Sequence, residues 1–267
     1  MNHSLKVAAL QCVTKKGDVN HNLSVITQAA TAARDAGAEL LVCPELCTTG
    51  YDAGRLFDTL AEPQNGPGFE RLSILARSLG LALCYGYAER DNHQLFNAAQ
   101  LIDHQGNRIQ HHRKTQLYGA YEHTWFTPGT TPGTVVDYRG FKFTTLICYE
   151  IEFPELARHN TKRGTNVLLV PTAVQHQPGI DDVTQLLVRA RATENNAFVV
   201  YANHAAGPDT LKFSGHSIIA GPGARTYAIS ACDQHTLLFA ELHTDAIAET
   251  EQVLPYLADL RTDLFST

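Results

Sequence analysis

The sequence predicts an α/β protein, a four-layer αββα sandwich, and three observations carry that expectation. Short apolar runs of strand length alternate with segments of helical periodicity. Two of those runs, residues 40–43 and 166–170, are each stopped by a proline, Pro44 and Pro171. The order of elements then recurs loosely between the two halves, although the residues themselves do not repeat. Two helix-covered sheets packed face to face satisfy all three.

The elements follow in order. Residues 5–10 read as a buried strand. Asn20 or Asn22 is expected to cap a helix with Leu23, Ile26, Ala30 and Ala33 on one face, and Gly37 follows its end. The run 40–43 completes a βαβ unit, which favours parallel strands. Pro67 opens a second helix with Phe69, Leu72, Leu75 and Leu79 inward, ending at Gly80. Residues 81–87, 95–102 and 108–112 read as a meander, separated by turn residues such as Asn92 and Gly106. A long loop is expected over 114–133. A hairpin about Arg139 and Gly140 joins strands 134–138 and 141–148, and a helix over 154–162 precedes the strand 166–170. A helix near 182–195, a strand over 197–202 and further strands to about residue 242 complete the pattern.

Composition bounds the class. The chain has 267 residues, 44% of them apolar and 18% charged, which excludes a disordered or fibrous protein. With 27 acidic against 21 basic side chains, the net charge of −6 offers no basic face, so no nucleic-acid partner is expected. No run approaches the roughly 20 apolar residues that span a bilayer, so no membrane partner is expected either. The opening MNHSLKVAALQC has neither a charged lead nor a long apolar run, so a secretory signal is not expected and a cytoplasmic location is. Six dispersed cysteines, Cys12, Cys43, Cys47, Cys84, Cys148 and Cys232, then read as reduced thiols. Residues 1–267 form one expected domain, with 245–267 a C-terminal tail that either packs on its own domain or meets a second subunit.

Chemistry is sought beyond strand ends, where open α/β sheets gather ligands. Three such ends carry reactive groups: Glu45, Lys114 and Cys148. A carboxylate, an ammonium and a thiol suffice for acyl transfer, because the thiol must lose its proton and the developing oxyanion must be held. Taken singly, each is more often an ordinary loop or core residue. The histidines suggest no metal: His111 and His112 are neighbours on one strand and point to opposite faces, and no HExxH or CxxC pattern occurs. No metal or cofactor is expected.

The words around the three residues change the odds. From Val7-Ala8-Ala9-Leu10-Gln11 to about Leu242, the chain resembles the nitrilase, or carbon–nitrogen hydrolase, superfamily. Leu40-Leu41-Val42-Cys43-Pro44-Glu45 resembles the glutamate block, Arg113-Lys114-Thr115-Gln116-Leu117-Tyr118-Gly119 the lysine block and Leu146-Ile147-Cys148-Tyr149-Glu150-Ile151-Glu152-Phe153-Pro154 the cysteine block. The resemblance implies an αββα fold, Glu45 as general base, Lys114 and the Tyr149 backbone N–H as oxyanion donors, Cys148 as nucleophile and Glu122 as a second glutamate orienting lysine and substrate. Gln116 and Glu150 stand where relatives often carry His and Asp, and neither is expected to touch the catalytic residues.

The implied activity is hydrolysis of a small aliphatic carboxamide to the acid and ammonia through a thioester. Framework segments such as Pro171-Thr172-Ala173 are similar to those of small aliphatic amidases. Tyr51, Trp125, Tyr149, Ala173, Val174 and Gln175 are expected near the acyl group. A buried carboxylate facing that pocket would mark an amino-amide substrate, and the sequence places none unambiguously. Nitrilase, ω-amidase and N-carbamoyl hydrolase activities share the same residues, and a non-catalytic interaction scaffold is the alternative from another class. The family also implies a homodimer or larger homo-oligomer.

Overall fold

Strands buried on both faces read as continuous apolar runs, and most strands of this chain are of that kind. The computed structural model describes residues 2–176, 183–206, 212–230 and 234–265. Its first half runs β1 (Ser4–Gln11), α1 (Val19–Asp35), β2 (Leu40–Val42), α2 (Phe57–Leu60) and α3 (Pro67–Leu79). A meander of β3 (Ala82–Asp91), β4 (Gln94–Ile102) and β5 (Arg108–Arg113) follows, then α4 (Gly119–Trp125). The second half runs β6 (Val136–Tyr138), β7 (Phe141–Thr145), α5 (Pro154–Lys162), β8 (Val167–Pro171), α6 (Arg189–Glu194) and β9 (Phe198–Ala202). It closes with β10 (Ile218–Gly221), β11 (Arg225–Ile229), β12 (Thr236–His243), α7 (Thr244–Val253) and α8 (Tyr256–Asp259).

The strands form two six-stranded sheets, ordered β12-β1-β2-β3-β4-β5 and β11-β10-β9-β8-β7-β6. In each, three consecutive central strands are parallel, β1-β2-β3 and β7-β8-β9, and the flanking strands are antiparallel. The expected division into halves is therefore incomplete. β12 crosses back to the first sheet and pairs with β1 from Ser4↔His243 to Gln11↔Thr236.

Side-chain parity assigns the layers. Val7, Leu40, Val42, Phe141, Phe143, Val167, Leu169, Phe198 and Val200 point between the sheets. Their sequence neighbours point outward, Leu41 and Leu83 against Leu23, Ile26 and Ala30 of α1 and Leu72 of α3. On the other side, Leu168, Val170 and Val199 meet Ala157 of α5 and Ala192 of α6. The result is the αββα sandwich that the sequence predicts.

Three local expectations differ from what forms. α1 is capped by Asp18, whose Oδ1 accepts the His21 N–H at 3.0 Å. Asn22, one of the expected caps, is buried instead and binds the backbone of Lys15 and Thr48, anchoring the loop after β2. The expected loop 114–133 contains α4, too short to show apolar periodicity. The apolar run 141–148 does not stay a strand to its end: β7 stops at Thr145, and a 3-10 turn occupies Cys148–Glu152. The start of the helix expected near 182–195 and the thiol of Cys232 lie outside the described residues. Within the tail, Ala246 is buried and Ile247 packs on the intersheet core, whereas Val253 and Leu264 are exposed.

Gly86 in the middle of β3 shows how tightly the loop after β2 is seated. A Cβ there would lie 2.5 Å from the Leu46 nitrogen, 2.7 Å from Glu45 Cα and 2.8 Å from the Pro44 oxygen, all of them backbone atoms. Gly86→Ala is expected to lower the unfolding free energy by about 1–3 kcal/mol through overpacking. A denaturant titration checks this, and an unchanged midpoint would show that the loop is free to move.

Candidate active site

Strand ends from both sheets meet beside this loop. The Glu45 N–H, three residues beyond β2, donates to the Thr172 carbonyl just beyond β8 at 3.3 Å. The Lys114 N–H, directly after β5, donates to the Asn97 carbonyl at 2.8 Å. Cys148 follows β7, and its sulfur accepts a hydrogen bond from the Ala173 backbone. Four chain segments thus bring Glu45, Lys114, Glu122 and Cys148 into one neighbourhood.

The Lys114 ammonium is fully buried between two fully buried carboxylates. Its Nζ donates to Glu45 Oε1 and to Glu122 Oε1, each at 2.7 Å. The two glutamates differ in what remains of their hydrogen-bonding capacity. Glu122 has both oxygens engaged, Oε1 also by the Tyr51 hydroxyl at 2.8 Å and Oε2 by the Tyr118 N–H at 2.9 Å. Glu45 accepts from Asn97 Nδ2 at 2.6 Å through Oε1, whereas its buried Oε2 has no hydrogen-bond partner among the described residues. A carboxylate oxygen with free lone pairs in a dry site can take a proton, and of these two glutamates Glu45 alone presents one among the described residues.

Electrostatics agree with that division. Burial pushes the Glu45 carboxyl up to about 7, helped by the charge of Glu122 and opposed by Lys114 and Asn97. A base poised there exchanges protons readily near neutrality. Burial and the charge of Glu45 raise the Cys148 thiol well above its usual value, against the pull of Lys114 and the Ala173 amide. At rest Cys148 is therefore a neutral thiol, and Glu45 titrates near neutrality beside it.

Cys148 itself sits at φ +50°. A non-glycine residue in that region costs on the order of 1–3 kcal/mol and persists only where its surroundings hold it. Glu150 supplies much of the hold. Its Oε2 accepts the Ile147 N–H at 2.6 Å and His112 Nε2 at 2.8 Å, and its Oε1 accepts the Thr115 N–H at 2.7 Å and the Thr115 hydroxyl at 2.6 Å. Glu150 touches none of Glu45, Lys114 and Cys148, in keeping with the expectation, yet it ties residues adjoining Lys114 and Cys148 to each other. His111 turns the other way, to Glu89 at 2.6 Å, as neighbours on a strand must. His204 is also structural: its Nε2 bonds the Glu45 carbonyl at 2.7 Å, and burial lowers its pKa to about 4, so it stays neutral and donates.

A cavity of about 70 Å³ opens onto the Cys148 sulfur. Water takes up roughly 10–15 Å³ on this scale, so only a small ligand fits. Tyr51, Tyr149, Ala173, Val174 and Gln175 line it as the sequence suggests, joined by Tyr118 and Glu152, which sequence reasoning missed. Trp125 is not in the wall; its ring packs 6.4 Å from that of Phe57. The wall over 173–175 is pinned from behind by Asn203, whose Oδ1 accepts the Val174 N–H at 2.9 Å. Gln116 is absent from both the cavity and the charged cluster.

A thiol, an unpartnered basic carboxylate oxygen and a buried ammonium around a small cavity define a cysteine hydrolase of the αββα class. The chain belongs to the carbon–nitrogen hydrolase family, whose model matches residues 6–252. It is 38% identical over 264 residues to a Pseudomonas protegens protein described as the hydrolase in the pqqF 5′ region, covering 98% of this chain and 91% of that one. It is 34% identical to the 2-oxoglutaramate amidase of Bacillus subtilis over 230 residues, 85% and 87% of the two chains. Among solved structures, the amidase of Nesterenkonia sp. AN1 superposes with a TM-score of 0.88 at 32% identity over 98% of this chain and 96% of that one. A mutant of that amidase carries the acetamide moiety of fluoroacetamide covalently on its active-site cysteine.

These geometries predict how Cys148 reacts with a small haloacetamide. If Glu45 takes the thiol proton, alkylation needs it as carboxylate, and the rate should fall as pH drops through about 7. Asn97→Leu removes a donor to that carboxylate, a bond worth roughly 1.5–3 kcal/mol, and should move the acid limb up by about one to two pH units. Mass mapping of the adduct against pH reads this directly; a limb that stays in place would remove Asn97 and Glu45 from the proton path.

Proposed function

We propose that this protein hydrolyses the C–N bond of a small aliphatic carboxamide, releasing ammonia and the acid through a thioester on Cys148. The observation that carries the reading is the unequal pair of glutamates around Lys114. Glu122 is saturated by Tyr51, Tyr118 and Lys114 and so acts as the group that positions the ammonium. Glu45 keeps Oε2 free to work as the base.

In the first half-reaction, Glu45 Oε2 takes the Cys148 proton and the thiolate attacks the amide carbonyl carbon. An ammonium has three N–H donors, and Lys114 spends two on carboxylates. The third is available for the oxyanion, together with the Tyr149 N–H in the first turn of the 3-10 segment, where backbone donors lack intrahelical partners. Glu45 returns the proton to the leaving nitrogen, the C–N bond breaks and ammonia departs. Water then enters, gives a proton to Glu45 and adds to the thioester carbonyl. Collapse of the second tetrahedral intermediate breaks the C–S bond, and the proton on Glu45 restores the thiol.

The relatives support the choice of an amide. The amidase of Nesterenkonia has been seen in complex with acrylamide and with butyramide, both small neutral carboxamides. The size of the cavity beside Cys148 suits such ligands. Cys148→Ala should lower ammonia release from such amides by more than about a thousandfold. An ammonia assay across amides, nitriles and carbamoyl compounds, with intact mass spectrometry of the stalled acyl-enzyme, tests the scheme. Undiminished turnover in the variant would overturn it, and release from nitriles alone would replace the amide with a nitrile.

A further inference from the structure

We propose that His204 does more than fill the interior: it is a positioning residue that fixes the turn carrying Glu45, by donating its Nε2 proton to the Glu45 carbonyl. The inference rests on the amidase reading for the role of Glu45 and adds a residue to which that reading gives no step. His204 follows β9 in the second sheet, whereas Glu45 follows β2 in the first. Its side chain is fully buried, and Nε2 lies 2.7 Å from the Glu45 oxygen. A carbonyl can only accept, so that nitrogen carries the proton. Nδ1 is then left to accept from the Thr14 hydroxyl, 3.5 Å away. Burial lowers the imidazole pKa to about 4, so the ring keeps this neutral form throughout the range in which Glu45 titrates.

The bond falls where the backbone needs holding. Leu46 takes φ +47°, a conformation that a non-glycine residue keeps only when its surroundings enforce it. The peptide unit joining Glu45 to Leu46 carries the carbonyl that His204 binds. On the other side of the same residue, the Glu45 N–H donates to the Thr172 carbonyl at 3.3 Å. Both main-chain polar groups of the base are thus tied to the second sheet, and the imidazole makes the shorter tie. Packing against Gly86 limits where the loop can go; the hydrogen bond sets which way its carbonyl turns. A turned peptide would carry the Glu45 side chain off Lys114 and Asn97, which hold Oε1 at 2.7 and 2.6 Å, and the free Oε2 would move with it.

The face of the same ring meets the support of the cavity wall. It lies 4.8 Å from the Phe213 ring at an angle of 33°. Phe213 in turn packs edge to face on Tyr51 at 6.1 Å and pairs through its backbone with Gln175, and both of those residues line the cavity. The edge of the imidazole therefore addresses the base, while its face addresses the wall opposite. Substitution separates the two contributions. Glutamine keeps a donor where Nε2 stands and loses the face, phenylalanine keeps the face and loses the donor, and asparagine is one methylene too short to reach the carbonyl.

The first measurement is the rate at which iodoacetamide alkylates Cys148, followed by mass spectrometry on protein shown to be folded by circular dichroism. It needs no amide turnover, so failure of the amidase reading leaves it intact. His204→Phe and His204→Asn should slow alkylation by about 10- to 100-fold, the cost of displacing a reacting group by about an ångström. His204→Gln should stay close to the parent rate. In a Glu45→Gln protein, adding His204→Phe should slow the reaction by less than about twofold, because the imidazole acts through that carboxylate. With a small alkanamide, His204→Phe should lower kcat and spare KM, whereas His204→Gln should raise KM and spare kcat. Where His204→Phe does not fold, the comparison of His204→Gln with His204→Asn decides. A folded His204→Phe or His204→Asn that reacts at the parent rate refutes the assignment. So does a folded His204→Gln as slow as those two, or an equal slowing by His204→Phe in the Glu45→Gln background.

Discussion

The ammonium of Lys114, buried with a carboxylate on either side, is the contact on which the site depends. Two of its hydrogen bonds hold chain segments 69 and 8 residues away in sequence, Glu45 and Glu122. A lone buried charge would be prohibitive, and removing one member of such a cluster typically costs about 3–5 kcal/mol. The arrangement is therefore an obligation as much as a stabiliser. Once Lys114 is interior, both carboxylates must be delivered to it, and the loop after β2, α4 and the turn at Cys148 have little freedom left. The close seating of Gly86 against the backbone of Pro44, Glu45 and Leu46 states the same constraint in steric terms.

Much of this was legible in the sequence because the fold and the chemistry leave different marks. Apolar runs at 5–10, 40–43, 166–170 and 197–202 became β1, β2, β8 and β9 with ends shifted by a residue or two, and α5 starts at Pro154 as read. Proline punctuation and two-faced burial made those elements visible. Glu45, Lys114 and Cys148 stood out because each follows a strand within a block resembling a known family. What escaped was whatever depends on where a side chain ends. α4 is a seven-residue helix with no periodicity to detect. Leu146 and Ile147 are apolar and buried yet lie outside any strand, so composition extended β7 past its true end. Trp125 sits next to the right loop, but its ring turns to Phe57 instead of the cavity. Glu150 and Glu152 looked alike in sequence; one is buried in a web of donors and the other lines the cavity with no ion pair among the described residues.

The spacing of those two glutamates shows how a short 3-10 turn divides labour. At three residues per turn, Glu150 folds back to cap the Ile147 N–H and reaches Thr115 beside the lysine. Glu152, two residues on, emerges on a different side and meets the cavity. Strain at Cys148 is part of the same device. The positive φ brings the nucleophile out of line with β7, and the charged cap at Glu150 supplies the compensating bonds. Preorganisation here is electrostatic as well as conformational, since the donors are in place before any substrate enters.

The proton economy follows from burial. A thiol raised by its surroundings and a carboxyl raised to about 7 are poorly matched in the resting state, so the proton stays on sulfur. A carbonyl carbon next to the sulfur alters the balance, because negative charge then passes from sulfur to an oxygen facing Lys114 instead of remaining in a dry pocket. The carboxylates around the ammonium take two of its three donors and offset its charge, which limits what Lys114 does for a free thiolate and, in the proposed mechanism, leaves one donor for the oxyanion. Such a site reserves its reactivity for an electrophile that delivers its charge to the right atom. In the proposed mechanism the second carboxylate, Glu122, would then matter through what it withholds from the resting thiol as much as through where it places the lysine.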